Sequence, residues 1–377
     1  KNRGRSGCGD LQAPHNGGEI TMELIIKKAG MLTSVQDLGR WGYQSSGVPV
    51  AGAMDLPALR LGNTMLGNPE DAAALEVTLL GPDIEVRGEG AAVFAGADLG
   101  FSVNGKAAGS WNTVLLKNGD VITFKGPKGK GCRGNLCFSG GVDIPSVMGS
   151  RSTYMRAKIG GVEGRALKNG DVIKVGEPSP LWKRLCGFKI PEELHMAQDP
   201  EAPLALITGL QEDAFTEEGK MLLFESEYTI TSESDRMGCR LEGPKIGHTE
   251  KGADIVSDAI PLGAVQIPGH GMPIIMLADR QTTGGYTKIG VLSPLSIEAL
   301  VQKMPGYKVR FRKADVHEGA DEQKRIRDAV RRVKELRASH VSRSGIKSPV
   351  PASPPLSTSF KLTLEGKSYD ITCEEIL

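Results

Sequence analysis

Residues Ala278 to Lys288 read Ala-Asp-Arg-Gln-Thr-Thr-Gly-Gly-Tyr-Thr-Lys, placing both charge signs, an amide, three threonines, a tyrosine and a Gly-Gly bend within eleven positions. They follow the apolar run Pro273–Leu277, which reads as a buried strand, so these polar groups fall where a rigid element gives way to a loop. Proteins place chemistry at such junctions disproportionately. Gly284 and Gly285 let a ligand approach the main chain, whose free N–H groups can cradle an anion. The alternative is a surface turn in which Asp279 and Arg280 pair with neighbours.

Four further segments are polar in the same way. Gln36-Asp37-Leu38-Gly39-Arg40 follows the first strand, and Gly149-Ser150-Arg151-Ser152-Thr153 follows an apolar stretch. Ser234 to Leu241 places Arg236 and Arg240 four apart, and Gln266 is embedded in Ala264-Val265-Gln266-Ile267-Pro268. A guanidinium is a planar fork of donors suited to carboxylate or phosphate, so each arginine segment is a candidate anion contact. Structural ion pairs that tie loops together use the same geometry.

The elements that position these segments are mostly strands. Forty-nine glycines among 377 residues, with few aromatics, imply many tight turns and a β-rich chain. Val103-Asn104-Gly105-Lys106 predicts a hairpin turn, because Asn-Gly accepts the positive φ angles of a two-residue loop. Leu116-Lys117-Asn118-Gly119-Asp120-Val121-Ile122 recurs as Leu167-Lys168-Asn169-Gly170-Asp171-Val172-Ile173, and each copy reads as a turn feeding a strand. Helices are expected from Asp55 as cap through Asn68, and from Ser293-Pro294 to a stop at Pro305-Gly306. A charged helix is expected over 316–341, with Ile326, Val330, Val333 and Leu336 as its narrow apolar stripe. Residues 342–359, with four prolines and six serines, read as a semi-rigid linker. Residues 360–377 read as a small hairpin. Residues 1–21 are polar and aperiodic and are expected to be a disordered leader, with Met22 as the natural start, because Gly17 to Thr21 is what a translated ribosome-binding site would spell.

Composition excludes several classes. Lys plus Arg (46) nearly cancels Asp plus Glu (45), so no strong field favours nucleic acid or an anionic membrane. No apolar run approaches the roughly 20 residues needed to span a bilayer, and a soluble cytoplasmic protein is the expectation. The six cysteines are sparse and scattered, as in a reducing compartment. Cys132 and Cys137 lack a second pair or histidine cluster to complete a tetrahedral site, so no metal is expected.

In order along residues 22–311, the segments Thr33–Arg40, Ala51–Asp55, Glu76–Pro82, Gly149–Thr153, Ser234–Gly238 and Asp279–Tyr286 closely resemble the family of the 5-oxoprolinase C subunit, also called allophanate hydrolase subunit 2 or the biotin-dependent carboxyltransferase family. Ala51 stands where the family usually has serine, and Cys239 where it has an aromatic. The resemblance implies a mainly β fold of two cyclophilin-like β-barrel lobes with a few covering helices, over 22–315, with lobes at roughly 22–135 and 136–315. It also implies partners, proteins like the A and B subunits of 5-oxoprolinase, in a hetero-oligomer active as the complex. That complex resembles an ATP-dependent 5-oxoprolinase, a hydrolase that opens a small-molecule lactam to glutamate. The similar region of urea carboxylases moves a carboxyl group from biotin to urea, and other family members are regulatory partners of a kinase inhibitor.

Either chemistry needs donors aimed at a developing oxyanion and a cationic patch. On that expectation Arg280, Arg236 and Lys288 stabilise an anion, Gln281, Thr282, Thr283 and Tyr286 orient substrate, and Asp279 or Asp55 serves as base. Gln36, Asp37, Arg40, Arg151, Arg240, Gln266, Gly284 and Gly285 complete the expected substrate site. No Gly-x-x-x-x-Gly-Lys-Ser/Thr loop occurs, including in the basic Gly126–Gly131 stretch, so ATP is held by other means or by a partner. Residues 360–377 resemble the opening strands of a biotin carrier domain without an Ala-Met-Lys-Met-type loop, so biotin is not expected on this chain.

Overall fold

Burial along Gly90–Gly96 alternates strictly: Ala92 and Phe94 enter one core while Ala91, Val93 and Ala95 enter another. Such a strand has both faces covered, which is why it reads as a continuous apolar run. The computed structural model describes residues 22–196 and 199–343 in full, and the backbone of 357–364 and 367–374. The proposed leader and most of the linker lie outside the described residues.

The first lobe comprises β1 (Glu23–Lys28), β2 (Leu32–Gln36), β3 (Ala74–Thr78), β4 (Asp83–Arg87), β5 (Gly90–Gly96), β6 (Phe101–Val103), β7 (Lys106–Ala107), β8 (Val114–Leu116), β9 (Val121–Phe124), β10 (Arg133–Phe138), β11 (Val142–Asp143) and β12 (Val172–Val175). They form two sheets, ordered β11-β12-β1-β4-β9-β6-β7 and β2-β3-β10-β5-β8. Leu24, Ile26, Ile84 and Val86 from the first pack on Val35, Leu75, Phe94 and Leu136 from the second. Pairing of β12 with β1 carries this lobe past the expected boundary at residue 135 to Val175.

The repeated heptapeptide makes the same structure twice. Asp120 Oδ2 accepts from Lys117 N, and Asp171 Oδ2 from Lys168 N, each at 2.8 Å. Gly119 and Gly170 then donate to Val86 O and Ile26 O, and those residues donate back to Asp120 O and Asp171 O. The Asn104-Gly105 turn also forms as expected, with φ of 51° and 73° and Val103 opposite Lys106.

Helix α1 (Leu56–Leu66) begins where Asp55 Oδ1 accepts from Ala58 N at 3.0 Å. It packs so close to the sheet that a Cβ on Gly62 would lie 2.8 Å from Cys137 Sγ.

The second lobe holds β13 (Leu204–Thr208), α2 (Glu217–Glu225), β14 (Tyr228–Ile230), β15 (Gly238–Glu242), β16 (Asp254–Ala259), β17 (Ala264–Gln266), β18 (Ile274–Met276), β19 (Thr283–Tyr286), β20 (Lys288–Leu292), α3 (Pro294–Val301), β21 (Lys308–Val309) and β22 (Phe311–Ala314). Its eight-stranded sheet runs β21-β14-β15-β18-β17-β20-β13-β22. The first and last strands in that order are separated in sequence by Arg310 alone, so the sheet curls into a nearly closed barrel around Leu206, Ile230, Val265, Ile275 and Ile289. The fold class is therefore the expected one, mainly β with two β lobes and few helices.

Helix α2, capped by Thr216 Oγ1 on Gly219 N at 3.0 Å, was not expected from the sequence. Helix α3 stops at Val301, short of Pro305. Helix α4 (Val316–Arg343) lays Ile326, Ala329, Val330 and Val333 over the outer face of the β5 and β10 sheet, beside α1. Residues from 342 onward form a separate unit, in which β23 (Ser357–Leu364) and β24 (Lys367–Glu374) pair antiparallel. No helix of the described residues is long and apolar enough to cross a membrane.

Candidate functional site

Four of the expected residues, Gln36, Asp37, Arg40 and Arg151, meet where the end of β2 faces the 147–153 loop. Asp37 is the hub: its carboxylate accepts from Gly39 N at 2.8 Å, Ser150 Oγ at 2.7 Å, Arg151 N and Ser152 Oγ. Gln36 Nε2 donates to Ser34 Oγ and Thr153 O. Arg40, fully buried, donates to Val147 O at 3.1 Å and Ser152 O at 2.9 Å, while its NH1 has no partner. Burial lowers the pKa of this guanidinium, with Asp37 and Asp279 opposing the shift. Arg151 Nε donates to Ile144 O. This cluster clasps two loops together.

The lobes are joined by Arg236. Its Nε and NH2 donate to Asp279 at 3.1 and 3.0 Å, its NH1 to Glu76 of β3, and its NH2 also to Gly52 O. Glu76 in turn accepts from Met54 N at 2.6 Å. Burial opposes charge on the guanidinium, but Glu76 and Asp279 outweigh it and hold it firmly protonated. Asp279 faces Arg236 because Asp279 N donates to Arg236 O and Leu277 N to Met237 O, prolonging the β15 and β18 pairing. Arg236 and Asp279 thus form a buried ion triad with Glu76, a residue of the Glu76–Pro82 motif that was not among the expected site residues.

Beside that triad, the segment 234–240 walls two cavities. One, of about 340 Å³, lies between the lobes and is lined by Arg156, Asp235, Arg236, Met237, Asp279 and Lys303 among others. The second, of about 230 Å³, brings together four expected residues: Arg240 of β15, Gln266 closing β17, Gln281 after β18 and Tyr286 closing β19, joined by His270. Here Gln266 Nε2 and Gln281 Oε1 are buried without a hydrogen-bond partner. Each buried orphan of this kind costs about 1–3 kcal/mol, a cost that a ligand of complementary shape removes. Arg240 is exposed and makes no ion pair among the described residues.

Gly284 and Gly285 correct one expectation. They lie extended in β19, with Gly284 opposite Asp258, instead of forming a bend, because β16 pairs with this stretch. Neither has positive φ, so they do not form an anion-cradling turn. A Cβ on Gly284 would fall 3.2 Å from Gln266 Nε2 and 3.4 Å from Gln281 Nε2, a crowding of both amides that glycine avoids. Thr283 is exposed on the same strand, and Thr282 O accepts from Ile260 N.

The remaining expected residues lie elsewhere. Lys288 Nζ is 3.0 Å from Asp258, outside the cavity. Arg280 is buried, donating to Ile260 O and Leu277 O, and burial pushes its pKa down to about 10. Asp55 caps α1 beside Glu298. His270, Asp235 and Glu298 were missed; an acid within the apolar face Ile297–Val301 was the signal available for the last. The described residues contain no group of three or more His, Cys, Asp or Glu side chains arranged to hold a metal ion.

The family model of the carboxyltransferase domain, subdomain A and B, matches residues 46–313. The chain is 34% identical to the C subunit of 5-oxoprolinase from Escherichia coli, over 78% of this chain and 92% of that protein. Among solved structures it resembles TTHA0988 with a TM-score of 0.70 and 29% identity, covering 78% of this chain and 57% of that one. It therefore spans little more than half of the TTHA0988 chain. The urea amidolyase of K. lactis matches with a TM-score of 0.76 and 26% identity, over 94% of this chain and 22% of that one. Two of these relatives, the 5-oxoprolinase subunit and the urea amidolyase, are named as parts of enzyme systems. With six motifs in register and a domain model spanning both lobes, the chain belongs to the carboxyltransferase-domain family that includes the 5-oxoprolinase C subunit.

Proposed function

We propose that this chain is the substrate-binding member of a 5-oxoprolinase, acting with partners like the A and B subunits of that enzyme, and that the lactam of 5-oxoproline sits between Gln266 and Gln281. The observation that carries this reading is the pair of buried, unpartnered amide groups beside an arginine free of any ion pair among the described residues. A lactam presents a carbonyl acceptor and an N–H donor on one edge. Gln266 Nε2 meets the carbonyl, Gln281 Oε1 accepts the N–H, and Arg240 pairs with the carboxylate. Donation from Gln266 strengthens as charge builds on the carbonyl oxygen, so the same contact favours ring opening. Asp279 and Arg236 hold the cavity wall.

ATP does not fit this cavity: its wall carries one arginine and no second strong cation or glycine turn for three phosphates. We assign ATP to a partner and derive no step through it. Urea offers the same amide edge but no carboxylate of its own, so in transfer of a carboxyl group to urea Arg240 has only the transferred carboxylate to pair with.

The test is ATP-dependent glutamate release by the complex reconstituted from all three proteins. Gln281→Ala is expected to reduce kcat/KM by roughly 10²-fold, as for loss of an oriented donor or acceptor. Arg240→Ala is expected to raise KM for 5-oxoproline. No release from the intact wild-type complex overturns the proposal, and carboxylation of urea from separately supplied carboxybiotin favours the carboxyltransferase reading.

A further inference from the structure

A cavity of about 380 Å³ elsewhere in the molecule is lined by Asp55, Glu298, Trp111, His195 and the Lys128–Gly131 loop. Its floor is a pair of buried carboxyls. Asp55 accepts from Ala58 N with one oxygen and from Gln302 Nε2 at 2.7 Å with the other, and also contacts Glu298. Glu298 Oε2 is buried and has no hydrogen-bond partner. Two carboxyls in contact away from water share a proton, and burial followed by the Asp55 charge raises the pKa of Glu298 well above the usual range. The floor therefore presents one unsatisfied acceptor and a single negative charge.

The wall is an aromatic stack. Trp111 and His195 lie parallel at 4.6 Å, with Trp111 Nε1 fixed on Gly96 O at 3.1 Å. Trp111 and Met196, both lining the cavity, have φ of 59° and 56°. Left-handed backbone at a bulky residue costs on the order of 1–3 kcal/mol and tends to cluster at ligand clamps. At the rim, Lys130 pairs with Glu201, whereas Lys128 is exposed and makes no ion pair among the described residues. The basic glycine-rich stretch noted in the sequence is thus placed over an acidic floor.

We propose that this cavity is a second binding site for a small organic molecule carrying an amide or ammonium N–H and an anionic group, the N–H donated to Glu298 Oε2 and the anion held by Lys128. Such a molecule satisfies the orphan acceptor and the free cation together, whereas an acid alone meets the carboxyl floor unfavourably and a neutral amide leaves Lys128 unused. The site stands independently of the lactam site.

The test uses N-acetylglycine as probe, with acetate and N-methylacetamide as its two halves. Binding is read from Trp111 fluorescence in a Trp41→Phe, Trp182→Phe background and from ligand-observed NMR on the unaltered chain. N-acetylglycine is expected to saturate, each half to bind at least tenfold more weakly, and Lys128→Glu to weaken binding roughly tenfold, a change of about 1.4 kcal/mol. Gln281→Ala is expected to leave the signal intact. Binding unaffected by Lys128→Glu, loss of the signal in Gln281→Ala, or saturation by ATP at lower concentration than the probe overturns the proposal.

Discussion

Individual side chains in this molecule are held far from their solution chemistry by burial, and Glu298 is the clearest case. Below the ordinary glutamate value of 4.5, the folded and unfolded chains both carry its proton. Above that value the unfolded chain releases the proton while the folded pair keeps it, so the native state binds more protons and stability falls as pH rises. The slope reaches about 1.4 kcal/mol per pH unit per proton. Glu298→Gln removes this titration. Its melting temperature is expected to vary less than that of the unaltered chain from pH 4.5 toward neutrality, and parallel curves would refute the account. The orphan amides of Gln266 and Gln281 are the polar counterpart, side chains left unsatisfied at a point where a ligand completes them.

At the scale of elements, helix α3 is started by a partner from another helix. Ser293 supplies the N-cap position but no side-chain bond to the backbone; its Oγ turns to Ser296 Oγ at 3.0 Å. Glu322 of α4 takes over, accepting from Leu295 N at 2.8 Å. Glu322→Ala is expected to cost about 1 kcal/mol, measured by urea unfolding, with Glu322→Gln retaining part of it. An unchanged midpoint in Glu322→Ala would show that the cap is supplied otherwise. The start of α3 was legible from Ser293-Pro294, but its capping acid was not, because the two lie 27 residues apart and meet through tertiary packing. Turns set by local residues, such as Asn104-Gly105 and the twin Asp120 and Asp171 loops, were legible in full. Gly284-Gly285 misled because a Gly-Gly pair signals a bend unless a neighbouring strand claims it, as β16 does here.

Over the whole molecule, the two lobes are tied by Arg236, whose guanidinium is bound to Glu76 and Gly52 on one side and Asp279 on the other. Arg236→Ala strands two buried carboxylates and is expected to destabilise by about 3–5 kcal/mol. Denaturant unfolding checks this; a loss under about 1 kcal/mol would mean that other contacts dominate the junction. The fold class and the family were readable because six short motifs fall in register. The motifs do not converge on one cleft, however. Arginine has the same appearance in sequence whether it clasps loops, as Arg40 does, bridges lobes, as Arg236 does, or faces a ligand, as proposed for Arg240. Met237 illustrates what this division implies, since it borders both the space between the lobes and the space around Gln266. The thioether, with the Asp235 carboxylate beside it, is a party wall, so reshaping one chamber for a new guest necessarily remodels the room next door.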